Sequence, residues 1–586
     1  MKNQRFIIIY LGSIASKLAI CKGTRLKNQR FFIIYLGSIA SKLAICMGIS
    51  MEKWFITTKN ADFNKWAEEF HISPVLARII RNRDITETEQ VRKYLYGTLE
   101  DCHSPWLMDQ MDVSVKLVME AIALGKKIRI IGDYDVDGIC STVILLKGLT
   151  ALNAWVDSAI PHRITDGYGL NEHLIQAAYE DKIDLIITCD NGIAASKQIQ
   201  IAKELGMSVI VTDHHEVPYI EEDGKREQLL PPADGIINPH KEECQYPFKG
   251  ICGGLVAYKF IKALMETAVK ESAFVYNEEL NKELLQFAAM ATVCDIMELK
   301  EENRIIVKEG LKLIRQTNNE GMKALMEVNK IAPENIEVYH LGFVIGPCLN
   351  ATGRLDSAMR SIELFNCADK RKAMTIAQEL KELNENRKNM TIAGTKKAQE
   401  YIVEKGILEQ SVYMIYLPDV HESLAGIIAG RIKESYHHPV FVLTKGEEGV
   451  KGSGRSIENY NMFEEMSVLK KYFTKFGGHK MAAGLSMREE DIDNFREEIN
   501  QKCTLTKEDF VAKVQIDIAL PFSYANETFV KELAFLEPYG MGNGKPLFAQ
   551  KGMRLKCAQR IGAKQNYLKL FMIDTQGGNV EMMYFG

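Results

Sequence analysis

The segment GDYDVDG at residues 132–138 follows directly on the short apolar run IRII, which ends at Ile131. Two further short runs rich in β-branched residues lie downstream, DLIIT at 184–188 and SVIVT at 208–212. Stretches with helical character, such as NEHLIQAAYED at 171–181, separate the three runs. Short apolar strands that alternate with helices are typical of a buried parallel sheet with helices on both faces. We therefore predict an α/β fold built on such a sheet.

Each of the three predicted strands ends in acidic or imidazole side chains. They are Asp133, Asp135 and Asp137 after the first strand, Asp190 after the second, and Asp213, His214 and His215 after the third. Because ligands gather at the carboxyl ends of parallel strands, we expect these groups to converge at one edge. A further acid, Asp295 in ATVCDIMEL, ends an apolar helical run, where it would be poorly solvated without a partner. Carboxylates so close together repel one another unless a cation neutralises them, so the pattern favours a metal site.

The chemistry of this cluster indicates which metal it would bind. The spacing D-x-D-x-D-G also opens the EF-hand calcium loop, but that loop needs Glu at its twelfth position, where this chain has Ile144. Oxygen ligands together with histidine suit Mn²⁺ or Mg²⁺ better than a structural zinc site, which usually uses cysteine. The carboxylates exceed the needs of one ion, so we expect a pair of ions about 3.5–4 Å apart. Such a pair is suited to in-line attack on a phosphodiester.

Length, charge and cysteine usage limit the other classes of function. The chain has 586 residues, enough for several domains, and its 46% hydrophobic residues are typical of packed globular proteins. Its 73 Lys and Arg residues against 77 Asp and Glu give a net charge of −4, so no overall basic field attracts nucleic acid. Twelve cysteines without any C-x-x-C pair argue against a disulfide framework and a zinc ribbon. We expect a cytoplasmic protein in a reducing compartment, with no membrane partner.

The N-terminal stretch contains a tandem repeat. KNQRFIIIYLGSIASKLAIC at residues 2–21 recurs as KNQRFFIIYLGSIASKLAIC at residues 27–46. Its apolar runs are shorter than the about 20 residues that a membrane span needs. A signal peptide is the alternative interpretation. We interpret residues 1–50 as a duplicated extension outside the fold and expect the working protein to begin at Met51.

The remainder of the chain changes character twice. A charged tract at 369–404 is typical of a long connector helix, and a plain surface helix is equally compatible with it. Beyond it, segments such as PVFVLT and the glycine-rich FGGHKMAAG at 476–484 predict a second α/β domain. From residue 511 onward, KVQIDIAL, YLKLFMID and VEMMYFG alternate apolar and polar residues, which predicts a small antiparallel β domain.

Taken together, the motifs resemble those of the DHH phosphoesterase family, and within it the bacterial exonucleases specific for single-stranded DNA. The matching motifs are GDYDVDG (132–138), IPHRITDGYGLN (160–171), TCDNGI (188–193), TDHHE (212–216), INPH (237–240), TVCDIMEL (292–299), GPCLNATGRL (346–355), GSGRS (452–456), FGGHKMAAG (476–484) and LEPYGMGNGKPLF (536–548). The likeness extends over residues 51–586, and this set in this order is highly specific. It implies a parallel-sheet DHH domain, a long helical connector, a second α/β DHH-associated domain and a C-terminal OB-type β-barrel.

The resemblance also implies roles for individual residues. The residues that would bind two Mn²⁺ or Mg²⁺ ions are Asp133, Asp135, Asp137, Asp190, His214 and Asp295. Asp213 would orient His214, and His215 would face the scissile phosphate. Asn350 and Arg354 would lie along the path of the strand. The residues that would bring the second domain to the phosphate backbone are Ser453, Arg455, Gly477, Gly478 and His479.

The chain can be divided accordingly into six segments. They are the extension 1–50, an N-terminal segment 51–114, the DHH catalytic domain 115–368, the connector 369–404, the DHH-associated substrate-binding domain 405–510 and the OB-type domain 511–586. We find about four candidate strands in the last segment, where an OB fold has five, so we expect that domain to be incomplete.

The resemblance implies an exonuclease that hydrolyses single-stranded DNA from the 5′ end to 5′ mononucleotides, in repair and recombination. Its implied partners are single-stranded DNA, single-strand-binding protein and a helicase. A DHH-type phosphodiesterase of oligonucleotides or cyclic dinucleotides is an alternative in the same class of enzyme. A non-catalytic, replication-associated binding subunit is an alternative of another class, and the intact acidic set argues against it.

Overall fold

The computed structural model describes most of the chain. The described residues are 6–10, 32–34, 52–162, 169–222, 225–355, 357–446, 449–562, 565 and 567–585. Most of the N-terminal extension and residues 163–168 of the motif IPHRITDGYGLN lie outside them. The chain divides into two compact units. The first unit comprises residues 61–384 and 532–545, and the second comprises 1–60, 385–531 and 546–586.

The secondary structure alternates between helices and strands through most of the chain. The strands are β1 (Phe6–Tyr10), β2 (Phe32–Ile34), β3 (Glu52–Ile56), β4 (Lys127–Ile131), β5 (Trp155–Ala159), β6 (Leu185–Cys189), β7 (Ser208–Thr212), β8 (Tyr219–Glu222), β9 (Lys225–Gln228), β10 (Gly235–Ile237), β11 (Tyr413–Tyr416), β12 (Val440–Lys445), β13 (Val450–Arg455), β14 (Phe473–His479), β15 (Ala482–Met487), β16 (Ala512–Ile516), β17 (Ile518–Ala519), β18 (Leu547–Lys551), β19 (Arg554–Ile561), β20 (Tyr567–Ile573) and β21 (Asn579–Phe585). The α-helices are α1 (Phe63–Phe70), α2 (Pro74–Asn82), α3 (Thr88–Tyr96), α4 (Met111–Ala123), α5 (Val136–Ala151), α6 (Glu172–Glu180), α7 (Ser196–Glu204), α8 (Gly253–Lys270), α9 (Glu278–Cys294), α10 (Glu301–Ile314), α11 (Glu320–Val328), α12 (Val338–His340), α13 (Gly346–Leu355), α14 (Met359–Asn366), α15 (Lys370–Glu404), α16 (Ala425–Tyr436), α17 (Met462–Val468), α18 (Ile492–Lys502) and α19 (Glu527–Glu532). A π-helical turn, Leu341–Ile345, joins α12 to α13. None of the helices among the described residues is long and apolar enough to cross a membrane.

A five-stranded parallel sheet organises the first unit. Its strand order is β10-β7-β6-β4-β5, and all neighbouring strands run parallel. Alternate strand residues enter two separate apolar clusters, with Ile130 in one and Ile131 in the other. All of β6 is buried, as expected for a strand covered on both faces. The predicted α/β fold with a buried parallel sheet is confirmed.

The order of the strands locates a crevice at the edge of this sheet. From β4 the chain passes to β5 on one side, and later places β6 on the other side of β4. This reversal is a topological switch point, and ligands of open α/β sheets bind at the carboxyl ends of the strands that flank one. The acidic motifs follow β4 and β6, the two strands on either side of the reversal.

Buried helices pack behind the segment GDYDVDG at residues 132–138, which we call the acidic loop. Helix α5 begins in the GDYDVDG segment and is apolar around most of its surface, so it lies buried in the core. It packs against α8 and α9. Gly148 allows this approach, because a Cβ there would lie 2.5 Å from the side chain of Ile261. Helix α9 ends at Cys294, immediately before Asp295.

The second unit contains a mixed sheet in the order β11-β12-β13-β15-β14. Strands β11 and β12 run parallel, and the other neighbouring strands run antiparallel. Helix α16 packs on this sheet, so the second α/β domain is confirmed. The charged tract at 369–404 forms the single 35-residue helix α15, which confirms the helical connector.

The C-terminal β domain differs from its prediction in two respects. An antiparallel sheet was predicted, but β17 pairs with β18 and β2 pairs with β21 in parallel. Its sheet has the order β17-β18-β1-β2-β21-β20-β19, so the β-rich character is confirmed. The predicted barrel is not closed, because the end strands β17 and β19 do not pair with each other within the described part of the chain. Closing a sheet requires its edge strands to pair, and β17 has only 2 residues to offer. Strands β1 and β2 come from the two copies of the N-terminal repeat, while our interpretation of residues 1–50 as an extension stays a prediction.

Candidate metal centre

Backbone pairing between the parallel strands continues past their ends and sets two acids side by side. The N–H of Asp190, directly after β6, donates to the carbonyl of Thr212 at 3.0 Å. The N–H of Asp213, directly after β7, donates to the carbonyl of Ile237 at 3.0 Å. Asp190 has φ +60°, a left-handed conformation that Asp tolerates better than most residues. The sheet register therefore determines where these carboxylates lie.

Asp135 and Asp137 are fixed by helix N-termini. The side chain of Asp135 caps α5 by accepting from the N–H of Gly138 at 3.1 Å. Asp137 is buried, and its two carboxylate oxygens accept from the N–H groups of Gly253 and Gly254, both at 2.7 Å. These N–H groups belong to the first turn of α8, where the helix dipole also favours a negative charge.

Sequence reasoning missed the two glycines that hold Asp137. A Cβ at Gly253 would lie 2.8 Å from the Cβ of Asp190, and a Cβ at Gly254 would lie 2.5 Å from that of Ala291. Only glycine fits at either position without a shift of its neighbours. The available signal was the Gly-Gly pair in ICGGLVAY, at the start of an otherwise apolar helix.

His214 lies at the middle of the cluster. Its Nε2 is 3.1 Å from Asp190 Oδ1, 3.5 Å from Asp137 Oδ2 and 3.7 Å from Asp295 Oδ2. The Asp213 carboxylate does not contact this ring, although we expected it to orient His214. Asp213 instead accepts from the backbone N–H of His214 at 2.7 Å and contacts Nδ1 of His215 at 2.7 Å.

The predicted acids and histidines form three overlapping groups of three residues. Within each group, the ligand atoms lie within 4.8 Å of one another. The groups are Asp190, His214 and His215; Asp137, His214 and Asp295; and Asp133, Asp135 and Asp190. The first group shares His214 with the second group and Asp190 with the third, so it links the other two. The structure thus brings together all six residues for which we expected a metal-binding role, and His215 joins them.

Burial makes the bare carboxylates of this cluster unfavourable. It raises the pKa of Asp190 well above its usual value, and the charges of Asp137 and Asp135 raise it further. Burial and the charge of Asp137 raise the pKa of Asp295 to about 8. A divalent cation among these groups would favour their ionised forms again. Burial lowers the pKa of His214, which favours the neutral imidazole that binds metals.

His215 has the opposite electrostatics. Burial lowers its pKa, but the hydrogen bond and the charge of Asp213 outweigh burial and raise it to about 9. Burial raises the pKa of Asp213, but the same contact outweighs it and the net pKa is lowered. Without metal, Asp213 therefore favours the protonated form of His215. Its side chain is 45% exposed, so it can meet a ligand from solvent.

The donor set fits hard divalent cations. The three groups contain only carboxylate oxygens and imidazole nitrogens, which suit Mn²⁺ and Mg²⁺. Thiols lie close by, but burial raises the pKa of Cys140 and of Cys252 well above the usual value. These thiols remain protonated and are poor ligands, because the thiolate is the form that binds metals.

Models of three protein families match the chain. They are the DHH family, N-terminal domain, at residues 127–292, the DHHA1 domain at 409–505 and the RecJ OB domain at 516–586. The single-stranded-DNA-specific exonuclease RecJ of Haemophilus influenzae is 33% identical over 86% of this chain and 88% of its own length. The chain belongs to the RecJ family.

Two other RecJ proteins support this assignment. The single-stranded-DNA-specific exonuclease RecJ of Bacillus subtilis is 35% identical over 89% of this chain, and the chain spans 64% of that protein. The crystal structure of RecJ in complex with Mn²⁺ from Thermus thermophilus superposes with a TM-score of 0.74 at 25% identity, covering 91% of this chain and 78% of that one. The agreement thus extends over nearly the whole fold.

Two residues that the RecJ resemblance singled out lie on a helix that contacts the GDYDVDG segment. Asn350 and Arg354 lie on α13, and both side chains are half-buried. Gly353 of the same helix packs against the acidic loop, since a Cβ there would lie 2.5 Å from the carbonyl oxygen of Tyr134. The helix therefore crosses directly over the loop that carries Asp133.

The other expected RecJ substrate residues lie together on the sheet of the second unit. Strand β15 separates β13 from β14 and pairs with both, so the residues form two rows across it. The rows are Ser453, Gly484 and Gly477, and Arg455, Ala482 and His479. Gly478 has φ +151°, and a Cβ there would lie 2.4 Å from the carbonyl oxygen of Ala482, so no other residue fits without a shift.

Arg455 also lies beside Gly426 of helix α16, a contact that the sequence did not reveal. A Cβ at Gly426 would lie 2.8 Å from its Nη2, so the guanidinium lies at the first turn of α16. Burial lowers the pKa of Arg455. A guanidinium beside the positive end of a helix dipole is a favourable place for an anion.

Proposed function

We propose that this chain is a metal-dependent exonuclease that hydrolyses single-stranded DNA from the 5′ end to 5′ mononucleotides. The observation that carries the proposal is the convergence of five aspartates and two histidines at the switch point of the sheet. The Haemophilus influenzae relative, a single-stranded-DNA-specific exonuclease, supports the substrate class. Because the chain spans 64% of the Bacillus subtilis relative, the activity of the whole protein is part of the proposal.

We infer that two Mn²⁺ or Mg²⁺ ions occupy this centre. Asp137, His214 and Asp295 would hold one ion, and Asp133, Asp135 and Asp190 would hold the other. The Mn²⁺ complex of the Thermus thermophilus protein supports this inference. When bound, such ions activate the attacking water and stabilise the negative charge that develops on the phosphate.

The remaining side chains would position the substrate. His215, whose protonated form Asp213 favours, would donate a hydrogen bond to a non-bridging oxygen of the scissile phosphate. Arg354, on the helix that crosses the acidic loop, would neutralise a neighbouring phosphate. The contact with Asp213 fixes His215 before the substrate arrives, which reduces the reorganisation that the reaction needs.

The second unit would determine that hydrolysis starts from the 5′ end. The rows that contain Ser453, Arg455 and His479 offer a guanidinium, a hydroxyl and an imidazole on one sheet. Gly477 and Gly478 are exposed on the edge strand β14, whose outward-facing N–H groups would add donors suited to an anion. A terminal 5′ phosphate carries more negative charge than an internal one, so this surface would favour strands that begin with it.

Single strands labelled at either end test this proposal. With Mn²⁺, we expect the 5′ label to leave at once as a mononucleotide, while the 3′ label stays in long products until late. Asp135→Ala should abolish turnover because it removes a ligand, and Asp157→Asn, an acid that pairs with Arg129, is the matched control. Early release of the 3′ label would refute the polarity, and full activity of Asp135→Ala would refute the metal assignment.

We also propose a cytoplasmic location in DNA repair and recombination, with single-strand-binding protein and a helicase as partners. The resemblance to bacterial exonucleases supports these proposals. Co-purification from a bacterial lysate treated with nuclease tests the partners, because contacts bridged only by DNA are lost there. Absence of both proteins from the complex would contradict them.

A further inference from the structure

The turn that carries Asp295 contains a strained residue. Ile296 has φ +59°, in a left-handed region that β-branched side chains rarely adopt. Its side chain is 65% exposed, so packing of that side chain does not stabilise this conformation. Backbone strain of this kind persists only where the surrounding structure holds the chain in place. The N–H groups of Asp295, Ile296 and Met297 donate to the carbonyls of Ala291, Val293 and Thr292 in α9.

The residues directly after the turn contact a segment from near the C-terminus, residues 532–545, which we call the strap. The strap packs within the first unit, although the residues before and after it belong to the second. The N–H of Leu299 donates to the carbonyl of Met541 at 2.8 Å. A Cβ at Gly540 would lie 2.6 Å from Cδ1 of Leu299, which is only 1% exposed. The strap thus packs on the chain that follows the turn, four residues from Asp295.

A buried arginine fixes the strap. Arg304 on α10 is 2% exposed, and its guanidinium lies 3.8 Å from the ring centre of Tyr94. It donates to four consecutive strap carbonyls, those of Phe535 at 2.9 Å, Leu536 at 3.1 Å, Glu537 at 2.8 Å and Pro538 at 3.4 Å. Asn543 is also buried and donates to the carbonyls of Leu536 and Pro538 at 2.7 and 2.8 Å.

We propose that the strap is a positioning element for the metal centre, which fixes the chain directly after the strained turn and thereby keeps the Asp295 carboxylate among the other metal ligands. The inference rests on the proposed metal-dependent function. In this arrangement the position of Asp295 depends on the strap. Both ends of the strap continue directly into strands and helices of the second unit. Arg304 and Asn543 are positioning residues, because they act on Asp295 only through the strap.

Two valine substitutions in the strap separate positioning from general damage. Gly540→Val forces the strap away from Leu299, whereas a Cβ at Gly544 would meet no atom within 4 Å, so Gly544→Val is the matched control. Calorimetric titration of the full chain with Mn²⁺ alone measures the effect. We expect binding to weaken by about tenfold or more in Gly540→Val and to stay unchanged in Gly544→Val. Gly540→Ala, with a smaller side chain, provides a milder variant if Gly540→Val does not fold.

Repeating the substitution in an Asp295→Asn background tests the route of the effect. If the strap acts through Asp295, Gly540→Val should cause no further loss of Mn²⁺ affinity there. The same loss in both backgrounds, or parental affinity of Gly540→Val, would overturn the inference. Failure of the parent chain to bind Mn²⁺ would instead refute the proposed function, so the two failures are distinguishable.

Discussion

At the scale of the residue, Asp137 depends on two backbone groups for its position. Both of its oxygens accept from the first turn of α8, and burial raises its pKa. A Cβ at Gly254 would lie 3.1 Å from Asp137 Oδ1 and 2.5 Å from the Cβ of Ala291. We expect Gly254→Ala to displace the carboxylate and to lower kcat/KM on single-stranded DNA by about tenfold or more.

Gly250→Ala is the control for this substitution. A Cβ at Gly250 would lie 3.4 Å from the ring of Phe248, an ordinary contact, so this variant should retain full activity. Initial rates of nucleotide release at saturating Mn²⁺ provide the measurement. Equal rates in the two variants would show that the first turn of α8 does not determine the position of Asp137.

Ile296 gives a second prediction at this scale, on stability. Its left-handed backbone costs about 1–2 kcal/mol for an ordinary L-residue, and Asn adopts that region more readily. Ile296→Asn should therefore leave the free energy of unfolding unchanged or raise it by about 1 kcal/mol. Ile392→Asn is the control, because Ile392 is similarly exposed, at 58%, but lies in helix α15, where Asn is unfavourable. Urea unfolding that found Ile296→Asn the less stable variant would contradict the argument.

The acids were predictable from the sequence, and the groups that hold them were not. Asp133, Asp190 and Asp213 each follow an apolar run closely, so strand polarity alone predicted that they converge. Gly253 and Gly254 contact Asp137 from more than a hundred residues downstream. No local pattern marks such a contact, because it depends on how α8 packs against α5. The sequence also could not predict that Asp213 contacts the ring of His215 and not that of His214, since this depends on side-chain rotamers.

At the scale of the element, the segment from α12 to α13 combines aromatic and polar groups along one helix. Tyr339 and Phe343 have ring centres 5.4 Å apart in a stacked arrangement, and they are 60% and 70% exposed. Asn350 and Arg354 follow on the part of the segment that crosses the acidic loop. Eleven residues separate Phe343 from Arg354, about 16 Å at the rise of a helix. Exposed aromatic rings at that distance are suited to stacking on bases of a bound single strand.

This geometry predicts an effect that depends on substrate length. The double substitution Tyr339→Ala and Phe343→Ala should raise KM for long single strands by about tenfold, since stacking contributes about 1–3 kcal/mol per base. Hydrolysis of dinucleotides should change less, because a dinucleotide has only two bases that could stack on the rings. Tyr179→Ala, which removes a 49% exposed aromatic ring on α6, is the control. An equal loss on dinucleotides and long strands would contradict stacking of the bases of a long strand on these rings.

Elements differ in how well a sequence predicts them. The parallel strands and α15 were predictable, because the apolar and charged patterns that define them are local. Closure of the C-terminal sheet was not, since it depends on whether β17 and β19 meet, and these strands are separated in sequence and differ in length. The strap was also missed, because the motif LEPYGMGNGKPLF gave no indication that it packs within the first unit.

At the scale of the whole molecule, the two compact units should respond differently to metal. The cluster of acids and histidines lies entirely in the first unit. A ligand that binds only the folded state stabilises it by about 2.7 kcal/mol when its concentration is 100 times Kd. In differential scanning calorimetry, Mn²⁺ should therefore raise the unfolding temperature of the first unit more than that of the second. Equal shifts, or none, would contradict a single metal centre in the first unit.

The raised pKa values determine how this stabilisation varies with pH. Without metal, the pKa of Asp295 is raised to about 8, and those of Asp137 and Asp190 are also raised. The folded state therefore binds more protons than the unfolded state from about pH 4 to pH 8, so its stability in EDTA should fall as pH rises through that range. Mn²⁺ would displace those protons, so the difference in unfolding temperature between Mn²⁺ and EDTA should grow from pH 5.5 to pH 7.5. Asp295→Asn should reduce this growth, because Asn does not titrate. A difference that shrinks as pH rises would contradict the ionised carboxylates as ligands, because protonation at low pH competes with the metal for the same oxygens.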